Sequence, residues 1–345
     1  MLLTNKVPFV SAFVFVVVAS AASRHGALLA SAYPSSSISP NRIHYDVLAN
    51  ADDGDRYHTT TPLLDALRKG NGIVSITDLP NDFRDVKLRL MSHLHDCITS
   101  IDDASGGVGI PAEHYRDGTL RKSLVTSTRP NGGARSIEAL EEFVNGRPSS
   151  SSSSSCARFH DHLPSFRSTV DGVTRQFATK LSDEMEGSTL LLGTTSRPLL
   201  RNSDPAGEDY VNIDQIVNGG VHLEHFHSYQ KNTKVVGGAE YNNDSSNNNI
   251  IEEDGYEDGD EEKEKTIEFH TDQGFFIVFT PGMIVSTTTT TGSTARQQEG
   301  LPLSNGFYIQ DTTNGERMHL VFTDKDELVF MMGDGVNQLY VIYIC

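Results

Sequence analysis

The chain has no tryptophan and only three cysteines in 345 residues, and its 28 Lys and Arg are outnumbered by 46 Asp and Glu. Each shortage excludes something. Cys97, Cys156 and Cys345 contain no C-x-x-C pair, so thiolate zinc sites and thioredoxin-type chemistry are out. An odd, sparse cysteine count gives no disulfide framework, and Cys97, on the apolar face of a helical pattern, reads as a core residue. No cluster of Lys and Arg exists to line a nucleic-acid groove. No apolar run reaches the roughly 20 residues of a membrane span. The nucleophile elbow G-x-S-x-G, the Walker loop and the Rossmann glycine set are all absent.

What is present is strongly local. The net charge of −18 owes much to residues 252–265, where nine acidic residues accompany two lysines. At the N-terminus Lys6 precedes a mostly apolar run, Val7 to Ala22, broken by one Pro and two Ser, with Ala19-Ser20-Ala21 as a small-residue cleavage site. This pattern predicts a signal peptide over 1–22 and entry to the secretory pathway, with a retained anchor as the lesser alternative. Ala30-Ser31-Ala32-Tyr33-Pro34 resembles the junction of bipartite plastid-targeting leaders, and the acid-free, Ser-rich stretch to about residue 40 keeps plastid import open.

Residues 23–57 are polar and read as a disordered linker. Helical spacing begins at 61–69. A buried strand is expected at Gly72 to Ile76, and a helix from Asp82 carries Phe83, Val86, Leu90, Leu94 and Cys97 on one stripe. Gly106 to Gly146 is Gly- and Pro-rich with little periodicity, and the seven serines 149–155 read as a flexible insert. Ser168 to Gly187 is a further amphipathic helix with Val170, Val173, Phe177, Leu181 and Met185 inward. From about 188 the period becomes two. Strands are expected at 189–192, 220–229, 266–271, 275–279, 283–287, 306–310, 318–323 and 328–332. The organisation expected is a helical N-terminal cap over 58–187 and a mainly β domain, a jelly roll, over 188–345, with an acidic surface insert at 242–265.

One run carries most of the chemistry. His270-Thr271-Asp272 places an imidazole and a carboxylate on the same face of a strand end, followed by Gly274 and an apolar strand. One His and one carboxylate are two parts of the facial triad that holds non-haem Fe(II). A second landmark is the apolar strand Leu328 to Met332 ending in Gly333-Asp334. A third is the alternating run Leu223-Glu-His225-Phe-His227-Ser-Tyr229.

With HTDQGFFIVF at 270, GFYIQDTTNGERMHLVFTDKDELVFMMGD at 306–334 and LEHFHSY at 223–229, the chain resembles the isopenicillin N synthase-like branch of the 2-oxoglutarate/Fe(II)-dependent dioxygenases. In outline the likeness runs over 60–340, and its strong part is 270–334. It implies a double-stranded β-helix with Fe(II) on His270 and Asp272, and 2-oxoglutarate and O₂ as co-substrates. Tyr229 would contact the 2-oxoglutarate carboxylate, and a small organic molecule would be hydroxylated or desaturated. The family often has Asn two residues before that Tyr, where this chain has His227. The family's distal His would fall about fifteen residues past Asp334, beyond Cys345, and the Arg and Ser of its carboxylate clamp later still. The expectation is therefore a chain truncated at its C-terminal end. Two alternatives stand beside it: a catalytically inactive β-barrel binding protein, and a secreted protein binding Zn²⁺ or Cu²⁺ through His222, His225 and His227. In the latter set His225 and His227 share a face and His222 points away. The remaining histidines read as surface: His93 and His95 on a helix, His160 and His162 in a polar loop, His319 facing solvent.

Overall fold

A computed structural model describes residues 12–21, 36–49, 62–80, 82–105, 110, 112–115, 119–128, 153–191, 200–201, 210–211, 213–220, 222–231, 274–286, 296–297, 307–310 and 314–333. In chain order the elements are β1 (Ala12–Ala21), β2 (Ser37–Ile38), β3 (Asn41–His44), α1 (Tyr45–Ala49), α2 (Pro62–Lys69), β4 (Ile73–Thr77), α3 (Phe83–Ser105), β5 (Ala112–His114) and β6 (Thr119–Thr128). Then follow α4 (Ser153–Leu191), β7 (Leu200–Arg201), β8 (Tyr210–Val211), α5 (Ile213–Gly219), β9 (His222–Lys231), β10 (Phe276–Ser286), β11 (Arg296–Gln297), β12 (Tyr308–Gln310), β13 (Arg317–Leu320) and β14 (Leu328–Met332).

The main sheet is mixed, with order β3-β4-β14-β10-β1-β9-β6-β5 and β11 paired to β10. A smaller mixed sheet runs β12-β13-β2, and β7 pairs with β8. The β-rich character expected of the second half is present. Among the described residues the sheets do not close into a barrel.

The main sheet has two unlike faces because its side chains alternate. One face, with Val74, Ile76, Leu328, Phe330, Phe276, Val278, Phe226 and Leu124, packs under the helices as the larger core. Helix α4 lies on it. Phe177 stacks on Phe330 at 4.0 Å and meets Phe276 edge-on at 5.5 Å, while Phe159 meets Phe226 edge-on at 5.4 Å. Beside these aromatics, the Arg167 guanidinium donates to both carboxylate oxygens of Glu224, which is 3% exposed. Burial pushes the Glu224 carboxyl up from its ordinary range and Arg167 pulls it back. The opposite face is apolar at one end only. There Ile73, Ile277, Phe279 and Val329 are covered by Leu320 and Phe322.

Helix α4 also caps its neighbours. The buried Glu184 carboxylate accepts from the Leu63 and Leu64 backbone amides at 3.3 and 2.9 Å, satisfying the first turn of α2. Ser182 accepts from the Asp214 amide at 3.2 Å at the start of α5. Helix α2 ends in Gly70-Asn71-Gly72, with Asn71 and Gly72 at φ 52° and 78°. A Cβ on Gly70 would lie 2.3 Å from the Ile73 carbonyl oxygen, so the turn into β4 requires glycine there.

Several expectations are corrected. Residues 37–49 of the supposed linker form β2, β3 and α1, with Ile43 and Leu48 buried, because a short apolar pair suffices to dock them on β4 and the core. Helix α4 begins at Ser153, inside the serine run, and passes Gly187 to reach Leu191, so 189–191 are helical rather than strand. Its stripe starts earlier than Ser168, with Cys156, Phe159, Leu163 and Phe166 buried, and Pro164 sits on its exposed side. The two strands expected around Pro281-Gly282 are one, β10. Pairing to β14 stops at Phe279, so Pro281 breaks no bond on that side, and the β1 register shifts opposite it. The strand expected at 266–271 lies outside the described residues.

Two further differences concern the N-terminal run and the cysteines. Residues 12–21, expected within a leader, pair in parallel with both β9 and β10. A run of Val and Phe suits a central strand as well as a leader's apolar segment, and periodicity alone does not separate the two. Cys97 is buried as expected, and it is also bonded to Cys156 with Cα atoms 4.5 Å apart. The contacts Cys97–Cys156, His93–His162 and Phe83–Phe166 show that α3 and α4 run antiparallel. That antiparallel packing brings together cysteines 59 residues apart in sequence.

Two predictions follow from this packing. Replacing Cys97 and Cys156 together by serine lowers the urea midpoint of unfolding, since a cross-link of this span contributes roughly 4 kcal/mol in the chain-entropy account; an unchanged midpoint would contradict a formed disulfide. Arg167→Met leaves Glu224 buried without its partner and costs about 3–5 kcal/mol, while adding Glu224→Leu restores most of it. Equal losses in the single and double variants would show that the pair contributes nothing beyond packing.

Candidate functional site

The polar end of the main sheet lies on β5, β6 and β9. Strand β9 alternates Glu224, Phe226 and Ser228 toward the helices with His225, His227 and Tyr229 on the other face. Register with β6 sets Val125 opposite His225, Ser123 opposite His227 and Arg121 opposite Tyr229. Register with β5 sets Glu113 opposite Arg121. One face therefore gathers Glu113, Arg121, Ser123, His225, His227 and Tyr229.

These groups interact. The rings of His225 and His227 lie 5.6 Å apart, and that of Tyr229 lies 6.0 Å from His227. His227 Nδ1 and Ser123 Oγ are 2.6 Å apart. Arg121 donates to Glu113 at 2.5 Å and lies over the Tyr115 ring at 5.6 Å. It stands opposite Tyr229 in the β6–β9 register, where its charge opposes the rise that burial causes in the Tyr229 hydroxyl. Tyr115 donates to Glu113 at 2.7 Å.

The electrostatics follow from burial. Removal from water pushes the His227 imidazole down to about 3, with His225, once protonated, and the Arg121 charge adding to the effect. Burial also lowers His225, again with Arg121 contributing. Both rings are neutral at physiological pH and keep a lone pair for a proton or a metal. Burial raises the Tyr229 hydroxyl, so it stays protonated, able to donate to a carboxylate held beside Arg121.

Of the residues singled out in sequence, Tyr229 is on this face, half-buried. His225 and His227 share it, and His222 points to the helix side, where its Nε2 meets the Val217 carbonyl at 2.8 Å. His270, Asp272 and Asp334 lie outside the described residues. Residues 270 and 272 precede the N-terminal end of β10 in sequence. Across β1 that end lies level with the start of β9, with Phe276 opposite Ala12 and Leu223 opposite Phe13. His225 is level with Phe279, and His227 is further along. Among the described residues no three His, Cys, Asp or Glu side chains form a group that could hold a metal. No helix among them is long and apolar enough to cross a membrane.

Sequence reasoning missed Arg121, Ser123 and Glu113, which fall in the stretch read as Gly- and Pro-rich without period. A faint signal exists in Leu120, Lys122 and Leu124 alternating with Arg121, Ser123 and Val125. Three other histidine readings change. His162 and His160 are helical, with His162 stacked on His93 at 5.3 Å, and His319 stacks on Tyr308 at 5.0 Å instead of standing free in solvent. No family model, no curated protein and no solved structure matches the chain.

A neutral buried histidine has a defined pH signature. The unfolded chain protonates His227 near the ordinary value of about 6.5, while the folded chain resists until about 3. Its contribution is therefore neutral above that ordinary value and turns destabilising as pH falls toward the folded one. His227→Gln is expected to flatten the loss of stability between pH 6.5 and 4 by up to about 1.4 kcal/mol per pH unit, read from urea midpoints across that range. Parallel profiles for the variant and the parent would contradict a buried, neutral His227.

Proposed function

We propose that the protein is a non-haem Fe(II)/2-oxoglutarate-dependent oxygenase acting on a small organic substrate, built on a double-stranded β-helix. The observation that carries this reading is that Tyr229 on β9 and Arg121 on β6 stand opposite each other on the sheet face turned away from the helices. They belong to the same sheet as β10, the strand that follows the His270-x-Asp272 pair. The facing of β12-β13-β2 onto the main sheet through Leu320 and Phe322 supports two strand layers around one interior.

The donor chemistry suits the metal in part: His270 and Asp272 supply one imidazole and one carboxylate, two of the three donors of the facial triad. When bound, iron with 2-oxoglutarate and O₂ supplies an oxidant strong enough to attack a C–H bond. The chain's own residues bind and orient. Tyr229 would donate a hydrogen bond to a co-substrate carboxylate, and Arg121, whose Nε has no partner among the described residues, would offer it a further N–H. Glu113 holds Arg121 in place. Asp272 would offset part of the cation's charge.

Entry into the secretory pathway, the compartment we propose, is supported by the Cys97–Cys156 bond, which persists in an oxidising environment. Substrate identity does not follow from the fold.

The test is Fe(II)-dependent conversion of 2-oxoglutarate to succinate and CO₂ by the purified full chain. His270→Ala and Asp272→Ala are each expected to reduce turnover at least a hundredfold. Tyr229→Phe should raise the KM for 2-oxoglutarate about tenfold, the value of one hydrogen bond to a charged group, with a smaller change in kcat. Absence of iron-dependent turnover in the parent protein, or turnover unaffected by His270→Ala, would overturn the reading in favour of a binding protein.

A further inference from the structure

We propose that His225 and His227 form a two-imidazole site for a divalent transition cation, Zn²⁺ or Cu²⁺, that does not require His270 or Asp272. Residues two apart on a strand share a face, so β9 presents both rings on the same side. Their centroids are 5.6 Å apart and their planes are tilted by 49°. Two imidazoles bound at about 2.0–2.1 Å to one tetrahedral ion place their centroids roughly 5 Å apart, close to the separation found here.

The surroundings suit ligation. Ser123 Oγ lies 2.6 Å from His227 Nδ1, which orients the ring and directs Nε2 away from β6. A hydrogen bond on the nitrogen that does not bind metal is the usual support for a metal-binding histidine. Burial keeps both rings unprotonated at neutral pH, so binding displaces no proton from them. The nearest cationic side chain, Arg121, is paired with Glu113 at 2.5 Å, so an incoming cation meets an ion pair rather than an isolated positive charge. His222 faces the helix side and holds the Val217 carbonyl, so among the described residues of β9 the chelate is formed by two imidazoles. Imidazole donors suit Cu²⁺ and Zn²⁺, and the remaining coordination positions fall to water or a small ligand.

The experiment uses the full chain carrying His270→Ala and Asp272→Ala, so that failure of the oxygenase reading and failure of this one are separable. Zn²⁺ affinity is measured by competition with a chromophoric chelator, and nitrogen ligation by electron paramagnetic resonance of the Cu²⁺ form. One equivalent of Zn²⁺ is expected to bind, with a Cu²⁺ spectrum showing two nitrogen donors. His225→Ala or His227→Ala should each weaken Zn²⁺ at least tenfold, and Ser123→Ala should weaken it less. Absence of Zn²⁺ binding in this background, or affinity unchanged by both histidine variants, would overturn the proposal. Should His227→Ala unfold by circular dichroism, the half-buried His225→Gln decides alone: a tenfold loss supports the site and no change refutes it.

Discussion

The structure depends on how α4 is fastened across the main sheet. A helix of 39 residues is about 58 Å long, and its contacts fall on both halves of that sheet. Phe177 packs on Phe276 and Phe330 in one half, and Phe159 and Arg167 pack on Phe226 and Glu224 in the other. β1 joins the halves edge to edge, and α4 joins them from above. The Arg167–Glu224 pair fixes the angle of that beam, because a buried carboxylate accepts a guanidinium only in a narrow geometry. Glu184 and Ser182 on the same helix then cap α2 and α5, and the bond to Cys97 holds α3 alongside.

This arrangement has a consequence for the other face. Because the helices satisfy one side of β9, its other side is available for polar groups that a core would not accept. The alternation that buries Glu224 with Arg167, and Phe226 with Phe159, is the same alternation that gathers His225, His227 and Tyr229 opposite Ser123 and Arg121. At the far end of the sheet the same face is apolar and covered by Leu320 and Phe322.

Much of this was legible locally. β14 was expected at 328–332 and is found there, and α2, β4 and the start of α3 fall within a residue or two of their expected places, because strong apolar periodicity and the Gly70-Asn71-Gly72 turn mark them. The early start of α4 was hidden by the serine run, which carries no period, although Cys156, Phe159, Leu163 and Phe166 continue the stripe. The Cys97–Cys156 bond was not legible, since only helix packing brings those residues together. At the site, alternation along β9 made the shared face of His225 and His227 legible, while Tyr229 was singled out by the resemblance of LEHFHSY. Arg121, Ser123 and Glu113 could not be read, because their membership depends on long-range register, which no window of sequence contains.

The central claim is best tested by anaerobic titration of the protein with Fe(II) and then 2-oxoglutarate, following the visible charge-transfer absorption that forms when a 2-oxo acid chelates ferrous iron. The expected result is saturable absorption in the parent protein, lost in Asp272→Ala and requiring more 2-oxoglutarate in Tyr229→Phe. Absorption that never develops, or that survives Asp272→Ala unchanged, would contradict the account.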